Sequence, residues 1–154
     1  AKSVPYFIKD NKGYFDKAVN NGIKKQMPQA TIFDAIKDRR KELKVLAKEQ
    51  VVGKSFPTPA GFDFIVTNAS VKEWLNQPHA HYSEKNEMIL HINEHVYNST
   101  HKRWIVDKHD PTVKAHLFEV EILGDKSWIL IREFSDGKCV LHSIMDNLPK
   151  NIPD

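Results

Sequence analysis

The chain has 154 residues, a length that suits one domain with a substantial hydrophobic core. It contains one cysteine, Cys139, which excludes an internal disulfide bond, and no apolar run approaches the ~18 residues that a membrane-spanning helix needs. Residues 1–50 contain 12 Lys or Arg against 6 Asp or Glu (+6), and residues 51–154 contain 11 against 14 (−3), so the net charge is +3. The C-terminal part is therefore not a general polyanion-binding surface, and it would have to bind nucleic acid with a few placed cations.

The N-terminal part is predicted to be helical from about Tyr14 to Gln50, because apolar residues recur there with helical spacing. The first stretch contains Phe15, Val19 and Ile23. The second contains Ile32, Ile36, Leu43 and Leu46. Thr31 is the expected N-cap of the second helix. Residues 53–61, GKSFPTPAG, are rich in Pro and Gly. We therefore predict an N-terminal helical segment at 1–52, a connector at 53–61 and a C-terminal domain at 62–154.

The C-terminal part predicts a strand at residues 62–67, helices at 70–77 and 84–98, and strands at 116–123, 127–134 and 138–145. Pro78 ends the first helix, and Ser83 can cap the second. Asp136-Gly137 favours a two-residue turn with positive φ between the last two strands. Helices followed by an antiparallel meander predict an α+β fold with helices packed on the sheet. Three aromatic residues are expected to anchor the core: Trp74, Trp104 and Trp128.

Six polar side chains lie within fifteen residues at the predicted helix junction: Lys72, His79, His81, Tyr82, Lys85 and Asn86. Histidine titrates near neutral pH, and lysine binds phosphate, so these residue types suit acid–base and phosphate chemistry. The loop between the two helices would hold them on a rigid support. The junction is therefore the predicted functional site.

The strings VKEWLNQPHAHYSEKNEMI and WILIREFSDGKCVLHSIMDN resemble the phage-associated branch of the BECR nucleases, the superfamily of barnase, EndoU, colicin-type and RelE-type ribonucleases. The resemblance covers roughly residues 64–148, and the pattern K-x3-NQPH-x5-KN is its most specific part. It implies a BECR-like sheet covered by helices, in agreement with the fold expected from periodicity. It also implies a domain of a larger phage or effector polypeptide, or a toxin of a mobile element.

The activity implied by the resemblance is a metal-independent endoribonuclease that needs no cofactor. A base would deprotonate the ribose 2′-hydroxyl, which attacks the neighbouring phosphorus while cations stabilise the phosphorane. The implied partners are RNA, with rRNA, tRNA and mRNA left open, and an immunity or antitoxin protein, with no membrane. The implied location is the cytoplasm of the host or target cell, or the virion.

Residue by residue, the resemblance assigns His79 as base or acid, Lys72 and Lys85 to the phosphate, and Ser143 as a donor to a nonbridging oxygen. These four catalytic candidates should line one cleft. His142 is expected on the opposite face of its strand from Ser143. The substrate-binding candidates are His81, Tyr82, Asn86, His116 and Arg132.

Two other functions stay open. The residues His91, Glu94 and His95 fit the pattern H-x-x-E-H, in which two histidines one helical turn apart hold zinc beside a glutamate. No third zinc ligand is evident in the sequence, so a zinc hydrolase is the weaker alternative. The stronger alternative is a non-catalytic capsid-fusion or partner-binding module with the same fold. A metal assay separates the zinc hydrolase from the others, and RNA cleavage in chelator separates enzyme from module.

Overall fold

The computed structural model of the protein describes residues 29–148. Helices cover one face of a curled six-stranded mixed sheet, which confirms the predicted α+β fold. The helix predicted from Tyr14 lies outside the described residues. None of the described helices is both long and apolar enough to cross a bilayer.

Helix α1 spans Gln29–Gln50 and packs against the helices that follow it in the chain. Leu43 and Ala47 of this helix, and Val51 just after it, are buried in the same core as the sheet residues. Thr31 lies inside the helix, so the prediction that it is the N-cap was wrong. The connector predicted at 53–61 contains the first strand, β1 (Ser55–Pro57), which pairs with β2 (Asp63–Ile65).

Helix α2 spans Asn68–Asn76 and begins with a capping box. The Thr67 hydroxyl accepts a hydrogen bond from the Ser70 backbone N–H, and the Ser70 hydroxyl accepts one from the Thr67 N–H. The Ser70 hydroxyl also lies within hydrogen-bonding distance of the Leu141 carbonyl oxygen in the last strand, which fixes the start of α2 against the sheet. The helix has its C-cap at Gln77, immediately before Pro78, as the sequence predicts.

The single helix predicted at 84–98 is three shorter elements: α3 (Tyr82–Glu87), a 3-10 helix (Met88–His91) and α4 (Ile92–Tyr97). Ile89 of the 3-10 helix and Ile92 of α4 are both fully buried, so the two elements face the same core. Ser83 is not the cap of α3, because His81 occupies that position and makes no side-chain capping bond.

The strand order across the sheet is β1-β2-β6-β5-β4-β3. The last four strands form an antiparallel meander, of which the sequence predicted three strands, and β2 pairs with β6 in parallel. Their bounds are β3 (Thr100–Val106), β4 (Lys114–Ile122), β5 (Asp125–Glu133) and β6 (Cys139–Met145). Strand β3 was not predicted, and the other three lie within two residues of the predicted limits.

The two-residue turn lies at a different hairpin from the one expected. Ile122 pairs with Asp125, and the intervening Leu123 and Gly124 both have positive φ, 52° and 85°. These are the dihedrals of a type I′ turn. At the other hairpin Glu133 pairs with Cys139, and the Phe134 N–H donates to the Lys138 carbonyl, which leaves a three-residue loop. Positive φ was expected at both Asp136 and Gly137, and of these two only Gly137 has it.

The sheet has two buried faces. The helix-covered face carries the main core, including Phe118, Ile129 and Ile144, and the second face carries a smaller cluster of Ala115, Leu117, Trp128 and Leu130. Phe62, between β1 and β2, contacts His116 of β4 with ring centroids 4.7 Å apart. The β1–β2 and β3–β4 pairs lie at opposite edges of the sheet. The sheet must therefore curl for the two edges to meet across the helix-covered face.

Candidate functional site

The helix junction is held together by two side chains of α3 that reach the C-terminal carbonyls of α2. The Lys85 ammonium donates to the Trp74 carbonyl at 2.5 Å, and the Trp74 indole N–H donates to the Lys85 carbonyl at 2.8 Å. The Tyr82 hydroxyl donates to the Leu75 carbonyl at 2.7 Å. The last carbonyls of a helix have no partner within it, and a cation there also complements the helix dipole. Lys85 and Tyr82 therefore act as a C-terminal cap supplied by the next helix.

Lys85 has no exposed surface, and its ammonium lies 4.6 Å from the centre of the Tyr82 ring. Burial lowers the pKa of Lys85 from its ordinary 10.5 to about 7, and the nearby Arg40 guanidinium adds to the shift. Asn86 is also buried, and its Oδ1 makes no hydrogen bond. Neither side chain of the predicted KN pair thus offers a surface to RNA in this structure.

The loop between α2 and α3 is bound to one end of the sheet by three contacts. His79 Nε2 is 2.8 Å from the Ser127 hydroxyl, His81 Nε2 is 2.7 Å from Asp125 Oδ2, and the Ala80 N–H donates to Asp146 Oδ2 at 2.8 Å. These partners come from β5 and from the residue after β6. The two loop histidines thus fasten the helix junction to the sheet.

Both ring nitrogens of His79 are occupied. Nδ1 lies 2.8 Å from the His81 backbone N–H, which can only donate, so Nδ1 must accept. In the neutral ring the proton is then on Nε2 and is donated to the Ser127 hydroxyl. Burial lowers the pKa of His79, and Asp146 opposes that shift. The neutral ring therefore has no free lone pair with which to act as a base.

The remaining catalytic candidates do not converge on His79. Lys72 is exposed on α2. Ser143 pairs with Leu130 on the second face of the sheet, whereas the partner of His79, Ser127, pairs with Val120 on the helix-covered face. The expected single cleft of Lys72, His79, Lys85 and Ser143 is therefore not formed.

A β-bulge affects the residue beside Ser143. The register passes from Leu130–Ser143 to Ile131–Leu141, so His142 has no cross-strand partner on β5 and strict alternation fails there. The expectation that His142 and Ser143 point to opposite faces rested on that alternation. Arg132, a predicted substrate-binding residue, pairs with Asp107 at 3.0 Å on the second face.

A different polar constellation lies on the helix-covered face near the outer edge of the sheet. His116 is 5% exposed, and its Nε2 is 2.8 Å from Glu133 Oε1. Its Nδ1 is 2.9 Å from His101 Nε2. Glu133, His116 and His101, on three neighbouring strands, thus form a continuous hydrogen-bonded chain, which we call the relay.

The direction of the relay follows from its carboxylate end. Because a carboxylate only accepts, the Nε2 proton of His116 points to Glu133, and His116 Nδ1 is left to accept from His101 Nε2. His101 Nδ1 then carries the free lone pair, and no group in residues 29–148 forms a hydrogen bond with it. Burial lowers the pKa of His101, and the adjacent His116 adds to the shift. A neutral, oriented imidazole at the half-buried end of such a chain is a candidate general base.

Aromatic and basic residues surround the relay. The ring of Phe62 is tilted against that of His116, and the ring of Phe118 lies 4.9 Å from that of His101. Trp104 pairs directly with His116, and Lys114 pairs directly with Glu133, so both belong to the same face. Trp104 is 48% exposed, so the prediction that it is a core anchor was wrong, whereas Trp74 and Trp128 are buried as expected.

The sequence indicated only one member of the relay, His116. It was a substrate-binding candidate, and its spacing of two and four residues from Phe118 and Val120 puts it on their face of the strand. His101 belongs to the strand that was not predicted, and Glu133 ends a strand whose register with β4 was unknown. Had the pairing of Lys114 with Glu133 been known from the sequence, it would have placed Glu133 diagonally opposite His116.

The H-x-x-E-H residues do not form a metal site. His91 is exposed at the end of the 3-10 helix, while His95 is half-buried in α4. Within the described part of the chain, no group of three or more His, Cys, Asp or Glu side chains is arranged to hold a metal ion. The zinc hydrolase therefore gains no support from the structure.

Comparison with known proteins identifies a family. A family model described as large polyvalent protein-associated domain 3 matches residues 34–144, well over half of the chain. The match supports the phage association that the sequence resemblance implied. No curated protein and no solved structure matches the chain. The family's description names no activity, so the relay is the feature of this chain that bears on its activity.

Proposed function

We propose that this chain, which belongs to the large polyvalent protein-associated domain 3 family, is a metal-independent endoribonuclease domain with the relay as its catalytic base. The observation that carries the proposal is the hydrogen-bonded chain from Glu133 through His116 to His101. In such a chain the carboxylate fixes the tautomer and orientation of the imidazoles and stabilises the positive charge that forms on proton uptake.

In the proposed reaction His101 Nδ1 takes the proton of a ribose 2′-hydroxyl. The O2′ atom forms a bond to the adjacent phosphorus, and the bond from phosphorus to O5′ breaks. The departing O5′ takes a proton from a water molecule, and the resulting hydroxide takes back the proton held on His101. The products are a 2′,3′-cyclic phosphate and a 5′-hydroxyl, and the relay returns to its starting state.

The cation nearest to the relay in register is Lys114, on the same face as His116 and directly opposite Glu133. Its exposed ammonium can stabilise the extra negative charge of the phosphorane. Lys72, exposed on α2, remains a proposed phosphate contact. In this proposal Lys85 and Tyr82 hold α2 and α3 together, and His79 fastens the loop between them to the sheet.

The proposed biological setting is a domain of a larger phage or effector polypeptide that acts on cellular RNA in the cytoplasm of a host or target cell. An immunity or antitoxin protein is its proposed partner. Family membership supports the phage setting.

The test is incubation of the purified protein with total RNA in the presence of EDTA, followed by end-group analysis. We expect cleavage that survives the chelator and leaves cyclic phosphate ends. Glu133→Gln should lower the rate by roughly 10²–10⁴-fold while the domain stays folded, because the amide can donate to His116 and reverse its tautomer. His101→Ala should have a similar effect.

The matched control is His109→Ala, which removes an exposed histidine from the loop before β4 and should leave the rate unchanged. Wild-type protein that melts cooperatively but leaves RNA intact would refute the nuclease and favour the non-catalytic module. Cleavage that is abolished by EDTA would refute the mechanism, and an unchanged rate in Glu133→Gln would refute the relay.

A further inference from the structure

We propose that Trp104 and Lys114 form a binding subsite for an unpaired nucleobase and its phosphate, so that the substrate class is single-stranded RNA. The inference rests on the proposed nuclease function and specifies which RNA structure the site accepts.

The first observation is the exposure of the Trp104 ring. Trp74 is fully buried and Trp128 is 7% exposed, whereas Trp104 leaves 48% of its surface in contact with solvent. The core holds the other two indoles, and exposing this one forgoes the stabilisation that burial of so large a ring provides. A flat aromatic surface on a sheet is the usual platform on which proteins stack a base.

The second observation is where the ring lies. Trp104 is the direct cross-strand partner of His116, and such partners have Cβ atoms about 4.5–5.5 Å apart. The bulge between His101 and Arg103 shifts the register by one residue. That shift puts Trp104 on the same face as His101, although the two are three residues apart. A base stacked on Trp104 would therefore have its ribose beside the relay.

The third observation is the cation beside the ring. The Lys114 ammonium lies 4.6 Å from the centre of the Trp104 ring and is exposed. A cation on an aromatic face is stabilised by the ring and held in place by it. The ammonium lies over one face of the indole ring, so a base would stack on the other face, with the phosphate contact close by.

The occupant follows from this geometry. A base inside a duplex is stacked on both sides by its neighbours and cannot reach an indole ring, while an unpaired base can. The proposal therefore commits to single-stranded RNA, and duplex RNA is the alternative that the experiment tests.

The experiment measures binding of a short, labelled, single-stranded 2′-O-methyl oligoribonucleotide by fluorescence anisotropy. The methyl group removes the nucleophile, so binding is read without cleavage. Trp104→Ala should weaken binding by roughly 5- to 150-fold, the effect of losing one stacked base, while Trp104→Phe keeps most of the affinity. Lys114→Ala should weaken binding and reduce the salt slope by about one phosphate contact.

The matched control is Tyr97→Ala, which removes an aromatic side chain that is 58% exposed on α4 and not on the strands that carry the relay. It should bind as the wild type does. The same oligonucleotide annealed to its complement should bind more weakly than the single strand.

Three results would overturn the inference: unchanged binding in Trp104→Ala, equal loss in Tyr97→Ala, or equal affinity for the duplex. If RNA is cleaved and Glu133→Gln lowers the rate while Trp104→Ala binds normally, only the subsite fails. If the wild type neither binds nor cleaves RNA, the nuclease proposal and the subsite fail together.

Discussion

Replacement of the buried lysine at the helix junction by an uncharged side chain of similar length, Lys85→Met, should change how the stability of the domain depends on pH. Lys85 has no exposed surface, and its pKa falls from 10.5 to about 7 on burial. Full protonation of this buried amine therefore costs about 5 kcal/mol relative to the unfolded chain, since each pKa unit corresponds to about 1.4 kcal/mol.

The sign follows from proton uptake. Between the folded pKa of about 7 and the unfolded value of 10.5, the unfolded chain binds more protons at Lys85 than the folded one. Stability must therefore rise with pH across that window. From about pH 7 to about pH 9 the free energy of unfolding of the wild type should increase by about 2 kcal/mol relative to Lys85→Met.

The assay is denaturant unfolding of the wild type and the variant at several pH values, with the difference in the free energy of unfolding plotted against pH. Effects of all other titrating groups cancel in that difference. The matched control is Lys72→Met, which removes an exposed lysine from the adjoining helix and should give a flat difference. A flat difference for Lys85→Met as well would mean that Lys85 titrates normally and that its buried position is wrong.

Other expectations follow from the same structure. His79→Ala should lower the free energy of unfolding by about 1 kcal/mol through loss of the Ser127 contact, with little effect on single-turnover cleavage by the folded protein; a loss of rate without a loss of stability would restore His79 as a catalytic group. Leu123→Gly should raise the thermal midpoint slightly, because Leu123 is exposed and has a φ of 52°, and an unchanged or lower midpoint would argue against that turn. Stability should fall as pH drops below about 6.5, since the unfolded chain then binds more protons at four histidines whose pKa values are lowered by burial; urea titrations that show constant stability down to about pH 5 would contradict these shifts. These are His79, His95, His101 and His142.

The periodicity of the sequence predicted the fold class and most element positions, because burial of a strand or helix face leaves a regular apolar pattern. The strands β4, β5 and β6 illustrate this. Strand β3 was missed because its exposed residues include Trp104 and Val106, so the apolar pattern does not identify a buried face. The type I′ geometry of the turn between β4 and β5 was not predicted, because the turn places a leucine, Leu123, where glycine or asparagine is expected.

The predicted site depended on residues close in sequence, and the structure shows why proximity was insufficient. Lys85, Tyr82 and His79 cluster because the end of one helix, the start of the next and the sheet must be joined there. The relay, by contrast, joins residues 101, 116 and 133, whose proximity depends on strand register. A bulge in β3 sets part of that register, and a single sequence gives little sign of a bulge.

The reciprocal pair of hydrogen bonds between Trp74 and Lys85 has a consequence for how this region opens. Each residue donates its side-chain hydrogen to the carbonyl of the other, so separating the two helices breaks both bonds at once. The end of α2 therefore does not unwind independently of α3, although helix termini ordinarily fray by themselves. Amide protons on the two sides of the loop should become accessible to solvent together, as one cooperative unit. Amide exchange in the loop around Pro78 should then follow the opening of both helices.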